Sequence, residues 1–424
     1  MDILINPRTL SGEIRAISSK SDVHRALIAA ALASGESRVY FTTLSEDISA
    51  TVRVLSAMGA KIEILGGDGD FTAIVCGITK MPDGAVLDAG ECGTTARLVL
   101  PIAAALSDSF TLTGKNGLLK RPFADLCECI SQNGCVCSDT YLPIKVSGRL
   151  KSGVYKIRGD VSSQYISGLL MALPLLSGDS EIHLTTPAVS VGYIDMTLDT
   201  LARFNIVVEK TSFGYRIKGN QAFCAVSEYV SEGDWSNSTF WLCGGAIGEK
   251  LTVTGLSECS LQKDREVLNI LKSMGAAVTC GEKITVERTD MRAFEFNGED
   301  IPDALPALAT VLCLAKGKSI IRGGARLKIK ESDRIATTVS MLKALGADIV
   351  GTDDGFVING AQSFSGGEVN AANDHRIAMC ACIASQRASG DVIIRGAECV
   401  NKSYPTFFED FERLGGKYSV ISGR

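Results

Sequence analysis

Six times along this chain, a helix-like apolar pattern runs into a small turn residue and then into a short β-rich run. The copies read LSAMGAKIEIL around Gly59, CISQNGCVC around Gly134, LARFNIVVE around Asn205, LKSMGAAVT around Gly275, LKALGADIV around Gly346 and FERLGGKYSV around Gly415. Successive turns lie 75, 71, 70, 71 and 69 residues apart. Glycine favours the left-handed backbone that ends a helix, and asparagine is its usual substitute. A second series, Gly35, Asp108, Gly178, Gly248, Gly317 and Gly390, closes another helix-like stretch in each copy and leads into strands such as SRVYFTTL and SIIRGG. The chain therefore reads as six copies of one unit of about 70 residues with two helices each. Within a copy the order is strand, helix, strand, helix and two strands, so the class is α/β with sheets that are not purely parallel.

A chain of 424 residues is too long for one core, and two domains are expected. The sixth copy is incomplete, because only the strand KYSVIS follows its last helix. The strand-like pieces DILIN and GEIRAI at the N-terminus are left over. The simplest repair lets residues 1–15 complete the sixth copy. This predicts a discontinuous C-terminal domain of residues 1–15 and 234–424, an N-terminal domain of residues 21–228, and chain crossings near 16–20 and 228–234.

The formal net charge of −5 argues against nucleic acid or an anionic membrane as partner. The longest apolar runs, 96–106 and 166–176, are about half a membrane span. MDILINPRTLSG lacks the charged n-region and apolar core of a secretory signal, so a cytoplasmic protein is expected. The 14 cysteines then read as reduced thiols. Cys127, Cys129, Cys135 and Cys137 form no C-x-x-C pair, and with 3 histidines in the chain they read as small buried hydrophobes rather than zinc ligands. GKS at 317–319 mimics a phosphate loop, but Leu312 stands where its glycine is required, and there is no GxGxxG. No metal and no cofactor are expected.

Helix starts carry the chemistry. First helices begin at Lys20-Ser21 with Arg25 following, Gly93-Thr94, Ser162-Ser163-Gln164, Asp234-Trp235-Ser236, Asp303 and Asp374-His375-Arg376. Second helices begin near Arg121-Pro122, Ser190–Tyr193, Lys263-Asp264-Arg265, Lys330-Glu331-Ser332-Asp333-Arg334 and Lys402-Ser403. A cation at a helix N-terminus meets the positive end of the macrodipole. Lys20, Arg25, Arg121, Arg334, Arg376 and Lys402 thus call for an anion, and helix N-termini are themselves anion sites. Singly, Ser21, Ser162 and Ser332 are plain N-caps and each cation is an ordinary surface charge. Recurrence at equivalent places in most of the six copies is what turns them into a binding pattern for phosphate, carboxylate or both.

The segments SSKSDVHRALIAAAL, GECGTTAR, KRP, DVSSQYISGLLMALP, IPDA, KIKESDR, NDHRIAM and NKSYPTFFEDF, in this order over essentially the whole chain, resemble the 5-enolpyruvylshikimate-3-phosphate synthase family. The resemblance implies two domains of three βαβαββ units each, an inside-out α/β barrel of the enolpyruvyl transferase type, closing on a cleft. It implies transfer of the enolpyruvyl group of phosphoenolpyruvate to the 5-hydroxyl of shikimate-3-phosphate, with release of phosphate, on the route to chorismate and the aromatic amino acids. By motif, Lys20, Ser21, Arg25, Ser162, Ser163, Gln164, Ser190, Asp303 and Lys330 are expected to hold shikimate-3-phosphate. Lys20, Gly93, Arg121, Gln164, Arg334, Arg376 and Lys402 are expected to hold phosphoenolpyruvate. The expected catalytic groups are Asp303 as base toward the hydroxyl, Glu331 as proton shuttle at the methylene carbon, and Lys20 as partner of the phosphate or bridging oxygen. A monomer is expected.

Four departures from the family pattern bear on substrate affinity and on response to glyphosate, the family's known inhibitor. Glu91 and Arg326 stand where asparagine is common, Ser190-Val191-Gly192-Tyr193 replaces Ser-Lys-Pro-Tyr, and Leu98 replaces a proline. The added carboxylate of Glu91 calls for Arg97 or Lys115 as a partner. Two rival readings are the related UDP-N-acetylglucosamine enolpyruvyl transferase and a non-catalytic anion-binding repeat protein. The first usually has a reactive cysteine five residues before the Arg-Pro arginine, where this chain has Asn116. The second leaves Asp303 and Glu331 unexplained among the cations.

Overall fold

The structure, a computed structural model, describes residues 1–67 and 69–421. The chain forms two compact units, one of Met1–Ile17 with Glu232–Arg424 and one of Ser18–Ser231. Among the described residues, the second holds helices α1 (Lys20–Leu32), α2 (Glu46–Ala57), α3 (Gly93–Leu106), α4 (Ala124–Ser131), α5 (Ser163–Ala172) and α6 (Val191–Arg203). The first holds α7 (Trp235–Ile247), α8 (Val267–Met274), α9 (Leu305–Leu312), α10 (Arg334–Ala344), α11 (His375–Ala384) and α12 (Phe407–Arg413).

All six turns of the leading series lie in the left-handed region: φ is +105° at Gly59, +102° at Gly134, +65° at Asn205, +98° at Gly275, +84° at Gly346 and +98° at Gly415. The second series is different. Only Gly35 and Gly317 have positive φ, while Gly248 has φ −94°. Gly248 is small because a Cβ there would overlap the Gln386 amide oxygen, and Gly178 because it would press on Ser152. Those positions record close packing, not chain reversal.

The described strands form six four-stranded sheets of one pattern. In four of them the first helix joins a parallel strand pair, as α3 does for Ala85–Asp88 and Ser109–Thr113, and in three of these four two antiparallel strands follow in the chain. Asp2–Asn6 lies between Val392–Arg395 and Lys417–Ile421 and so completes the sixth sheet. Ser422, the last residue of the expected strand there, lies outside the described residues. Gly12–Arg15 corrects the expectation that residues 1–15 all serve the sixth copy, since it pairs in parallel with Leu251–Thr254 of the fourth. Tyr229–Val230 in turn pairs with Val39 and Tyr40 of the first copy's Glu36–Phe41. The strand before α1 thus sits beside the strand after α7, and the strand before α7 sits beside the strand after α1. The exchange satisfies backbone groups at two sheet edges that would otherwise stay open.

Each unit has its own core. In α7 all thirteen residues are buried, including Trp235 and Trp241. α7, α9 and α11 pack on one another, as α3 does on α5 and α5 on α6. The second helices are one-sided. α8 buries Val267, Leu268, Ile270, Leu271 and Met274, the spacing of a stripe against a sheet. Cys127, Cys129 and Cys135 are buried in the core of their unit. Among the described residues no helix is long and apolar enough to cross a membrane.

Candidate active site

Within Ser18–Ser231, Lys20 opens α1, and its Nζ lies 2.7 Å from Asp47 Oδ2. Asp47 is in the first turn of α2, where a carboxylate suits the dipole, so the misplaced cation of one helix is balanced by the acid of another. Arg25 is 1% exposed. Its Nε donates to Thr197 Oγ1 (2.8 Å), Nη1 to the Ser21 carbonyl (2.7 Å) and Nη2 to the Tyr193 carbonyl (2.9 Å). Burial pushes this guanidinium down to about 10, and it stays charged at neutral pH. Arg25 thereby ties α1 to the start of α6, whose cap residue Ser190 is buried with φ +50°, a strained value outside glycine. Ser21 is the second residue of α1 rather than its cap. Ser162 is a true cap, accepting from the Gln164 amide at 3.3 Å, and Ser163 begins α5.

Gln164 is fixed from both ends. Its Oε1 accepts from Arg97 Nη1 (2.8 Å), and its Nε2 donates to Thr94 Oγ1 (2.9 Å). A Cβ on Gly93 would stand 3.0 Å from Arg121 Nη1 and 3.3 Å from Arg97 Nη1, so glycine leaves room for two guanidinium ends. Arg97, which lies one helical turn beyond Gly93 (the i, i+4 spacing), is a site residue that the motif assignment omitted. The Glu91 carboxylate accepts from Asn116 Nδ2 at 2.7 Å, and Lys115 Nζ lies 3.7 Å from Asp88. Below Gly93, His24 Nδ1 lies 2.7 Å from Thr51 Oγ1, which is 2.5 Å from Thr95 Oγ1. Thr95 donates to Cys92 Sγ (3.0 Å), and Cys92 Sγ is 3.8 Å from His24 Nε2. Burial first, and then the Lys20 and Arg25 charges, keep His24 neutral, while burial pushes the Cys92 thiol up to about 12.

The other unit is organised around carboxylates. Asp303 Oδ1 accepts from Arg334 Nη1 (2.6 Å) and lies 3.2 Å from Lys330 Nζ and 3.6 Å from Arg376 Nε. Arg334 is 1% exposed and also donates through Nε to Asp374 Oδ2 (2.8 Å) and through Nη2 to Glu331. Arg376 donates to the Asp303 carbonyl (2.9 Å) and Ser236 Oγ (2.7 Å). Burial would raise Asp303, but Lys330, Arg376 and Arg334 outweigh it and hold the carboxyl well below the usual range. Lys402 Nζ donates to the Asn373 carbonyl (2.9 Å), beside Asp374. Ser332 is no cap. Asp333 caps α10, and the Ser332 hydroxyl donates to Asp374 Oδ2 at 2.9 Å. Arg326 Nη2 donates to the Glu299 carbonyl (3.1 Å).

The helix-start argument needs one correction. Arg121, Lys330 and Lys402 stand at the exits of 3₁₀ turns, Asn116–Lys120, Ala325–Ile329 and Ala397–Lys402, and precede α4, α10 and α12 by several residues. A cation there faces the last carbonyls of a short turn and is not electrostatically misplaced. Sequence reasoning also missed Asp374 and Asp264 as members of the charged cluster. Asp264 sits on the turn Lys263–Glu266, is 3% exposed, and has a buried Oδ1 without a hydrogen bond. Burial and then Asp303 raise it to about 7. The signal available for Asp374 was its place as a capping acid immediately before His375-Arg376.

The profile of the EPSP synthase (3-phosphoshikimate 1-carboxyvinyltransferase) family matches residues 5–411. A 3-phosphoshikimate 1-carboxyvinyltransferase of Clostridium kluyveri is 40% identical over 425 residues, covering 98% of this chain and 97% of the relative. Its namesake from Methanocorpusculum labreanum is 36% identical, covering 98% and 99%. Among solved structures, EPSP synthase from Acinetobacter baumannii has a TM-score of 0.80 at 26% identity, covering 99% of this chain and 100% of that one. The enolpyruvyl transferase NikO from Streptomyces tendae, at 18% identity and TM-score 0.81, covers 100% and 99% and shares the fold. By the family profile over residues 5–411 and by 40% identity across nearly its whole length, this chain is a member of the EPSP synthase family.

Proposed function

We propose that this chain transfers the enolpyruvyl group of phosphoenolpyruvate to the 5-hydroxyl of shikimate-3-phosphate, by addition and then elimination through a tetrahedral ketal. The carrying observation is the cluster in which Asp303 and Glu331 share Arg334, with Lys330 and Arg376 on Asp303. Before substrate arrives, those cations make Asp303 a weak base. Anionic substrate groups that draw Arg334, Arg376 and Lys330 toward themselves remove this stabilisation and raise the proton affinity of Asp303. Asp303 then accepts the 5-hydroxyl proton while Glu331 protonates the methylene carbon. In the elimination Glu331 takes a methyl proton back, and Lys20 supports phosphate as the carbon–oxygen bond breaks.

Shikimate-3-phosphate is assigned to Lys20, Ser21, Arg25, Ser162, Ser163, Gln164, Ser190, Asp303 and Lys330. Phosphoenolpyruvate is assigned to Lys20, Gly93, Arg121, Gln164, Arg334, Arg376 and Lys402. Guanidinium forks match carboxylate and phosphate geometry, and the serine and glutamine donors add neutral hydrogen bonds. A reducing, cytoplasmic setting is supported by the 14 cysteines, all described and all free thiols. The chain is proposed to act as a monomer.

The test is solvent deuterium entry at the methylene carbon, measured alongside phosphate release. Glu331→Gln is expected to slow deuterium entry by about 10²–10⁴. Undiminished exchange rejects that assignment, and release with UDP-N-acetylglucosamine but not shikimate-3-phosphate rejects the substrate.

A further inference from the structure

His24, Asp47 and Cys92 lie far apart in sequence, with no metal-motif spacing, yet one ligand atom from each falls within 4.8 Å of the other two. We propose that these residues form an inhibitory site for a thiophilic divalent cation of the zinc class, which acts by taking Asp47 away from Lys20. The donors are of three kinds, imidazole, thiol and carboxylate, the set that suits Zn²⁺, Co²⁺ or Cd²⁺ rather than Mg²⁺ or Ca²⁺. Around a tetrahedral ion with bonds of about 2.0–2.3 Å, donor atoms lie roughly 3.5 Å apart. His24 Nε2 and Cys92 Sγ, at 3.8 Å, are nearly there without movement. Only the Asp47 carboxylate must swing inward.

The surroundings are built as a second coordination shell. Thr51 Oγ1 lies 2.7 Å from His24 Nδ1, and in the tautomer that donates from Nδ1 to this hydroxyl oxygen the Nε2 lone pair is left aimed at Cys92. Thr95 hydrogen-bonds both the thiol sulfur and Thr51, which fixes the ring and the sulfur together. His24 is fully buried and Cys92 is 2% exposed, so the ligands are preorganised by packing. Asp47 and Lys20 are 15% and 19% exposed and form the side of the cluster open to an entering ion. Binding replaces the thiol proton, which leaves to solvent, and replaces the Lys20 ammonium with the metal as partner of Asp47. Lys20 is then released from the position that Asp47 gives it. The loss of activity rests on the role proposed above for Lys20, whereas binding does not.

Co²⁺ titrated into the purified full chain is the probe, read by sulfur-to-metal charge-transfer absorption and by phosphate release on the same samples. The expected result is a single saturable equivalent with thiolate absorption, and phosphate release that falls in step with occupancy and returns on chelation. Cys92→Ser should abolish the absorption, and His24→Asn, a second variant, should reduce it. Thr51→Val, which leaves all three ligands in place, should weaken affinity by roughly ten- to a hundredfold. Cys259→Ser, at an exposed thiol, should change nothing. Charge transfer that survives Cys92→Ser, or an affinity indifferent to Thr51→Val, overturns the site. Full occupancy with undiminished phosphate release overturns the inhibition. Phosphate release by the metal-free chain reports the enolpyruvyl reaction separately.

Discussion

Arg25 of one unit and Arg334 of the other, both 1% exposed, are held in opposite ways, although the first of these units also has the Lys20–Asp47 ion pair. In Ser18–Ser231, Arg25 is surrounded by a hydroxyl and two carbonyls, and Arg97 and Gln164 grip each other. In the other unit, Arg334 meets three carboxylates and Asp303 meets three cations. Neutral partners leave the charge of a guanidinium available to a ligand, which suits recognition. Paired charges make each group's proton affinity depend on whether its neighbours are occupied, which suits a site where protons move. Mutations should therefore change affinity at Arg25 and Arg97 in Ser18–Ser231, and stability, rate and pH response around Arg334 in the other unit.

The largest effect is expected at Arg334. Arg334→Gln removes the cation shared by Asp303, Glu331 and Asp374, and removing one partner of a buried ion cluster costs about 3–5 kcal/mol. Calorimetry should show the unfolding of Met1–Ile17 with Glu232–Arg424 moved down while that of Ser18–Ser231 stays in place. An equal shift in both would break the comparison. Next comes Asp264. Its folded-state value near 7 exceeds the ordinary carboxylate value of 3.8, so the folded protein binds this proton more tightly than the unfolded chain. Stability from this group is present below pH ~4 and is lost as pH rises toward ~7, by about 4 kcal/mol. Asp264→Asn should remove that loss, so denaturant midpoints of the variant should gain on the parent between those pH values and then level off. A constant difference across the range rejects the account. The smallest effect is Gly93→Ala, whose Cβ would push guanidinium ends rather than backbone. KM for phosphoenolpyruvate should rise by about tenfold, roughly 1.4 kcal/mol, with the melting temperature nearly unmoved. A drop in melting temperature with KM unchanged would place Gly93 in the framework instead.

Much of the scaffold was legible because a left-handed helix exit demands glycine or asparagine at a fixed point in every copy, and Asn205 at φ +65° obeys that demand as Gly59 does. The second series was less legible because Gly248 and Gly178 are small for reasons of packing against Gln386 and Ser152, residues remote in sequence. The destination of Gly12–Arg15 could not be read from its own pattern, since an edge strand is claimed by whichever sheet has an open side. At the site, Arg334 and Arg376 announced themselves by standing at helix starts. Asp264 and the His24–Cys92 pair did not, because their meaning comes from neighbours supplied by other copies of the repeat.

The exchange of edge strands also sets an order of events during synthesis. Ser18–Ser231 contains every strand of its three sheets, so it can finish folding once residue 231 has left the ribosome. Asp2–Asn6 and Gly12–Arg15 emerge before that unit and yet find their partners after it, at Val392–Arg395, Lys417–Ile421 and Leu251–Thr254. At roughly 5–20 residues per second, Asp2–Asn6 waits tens of seconds, with Ile3 and Ile5 uncovered, until Lys417–Ile421 is made. These two segments, though translated before Ser18–Ser231, are thus buried after it, and their apolar faces stay exposed while that unit folds.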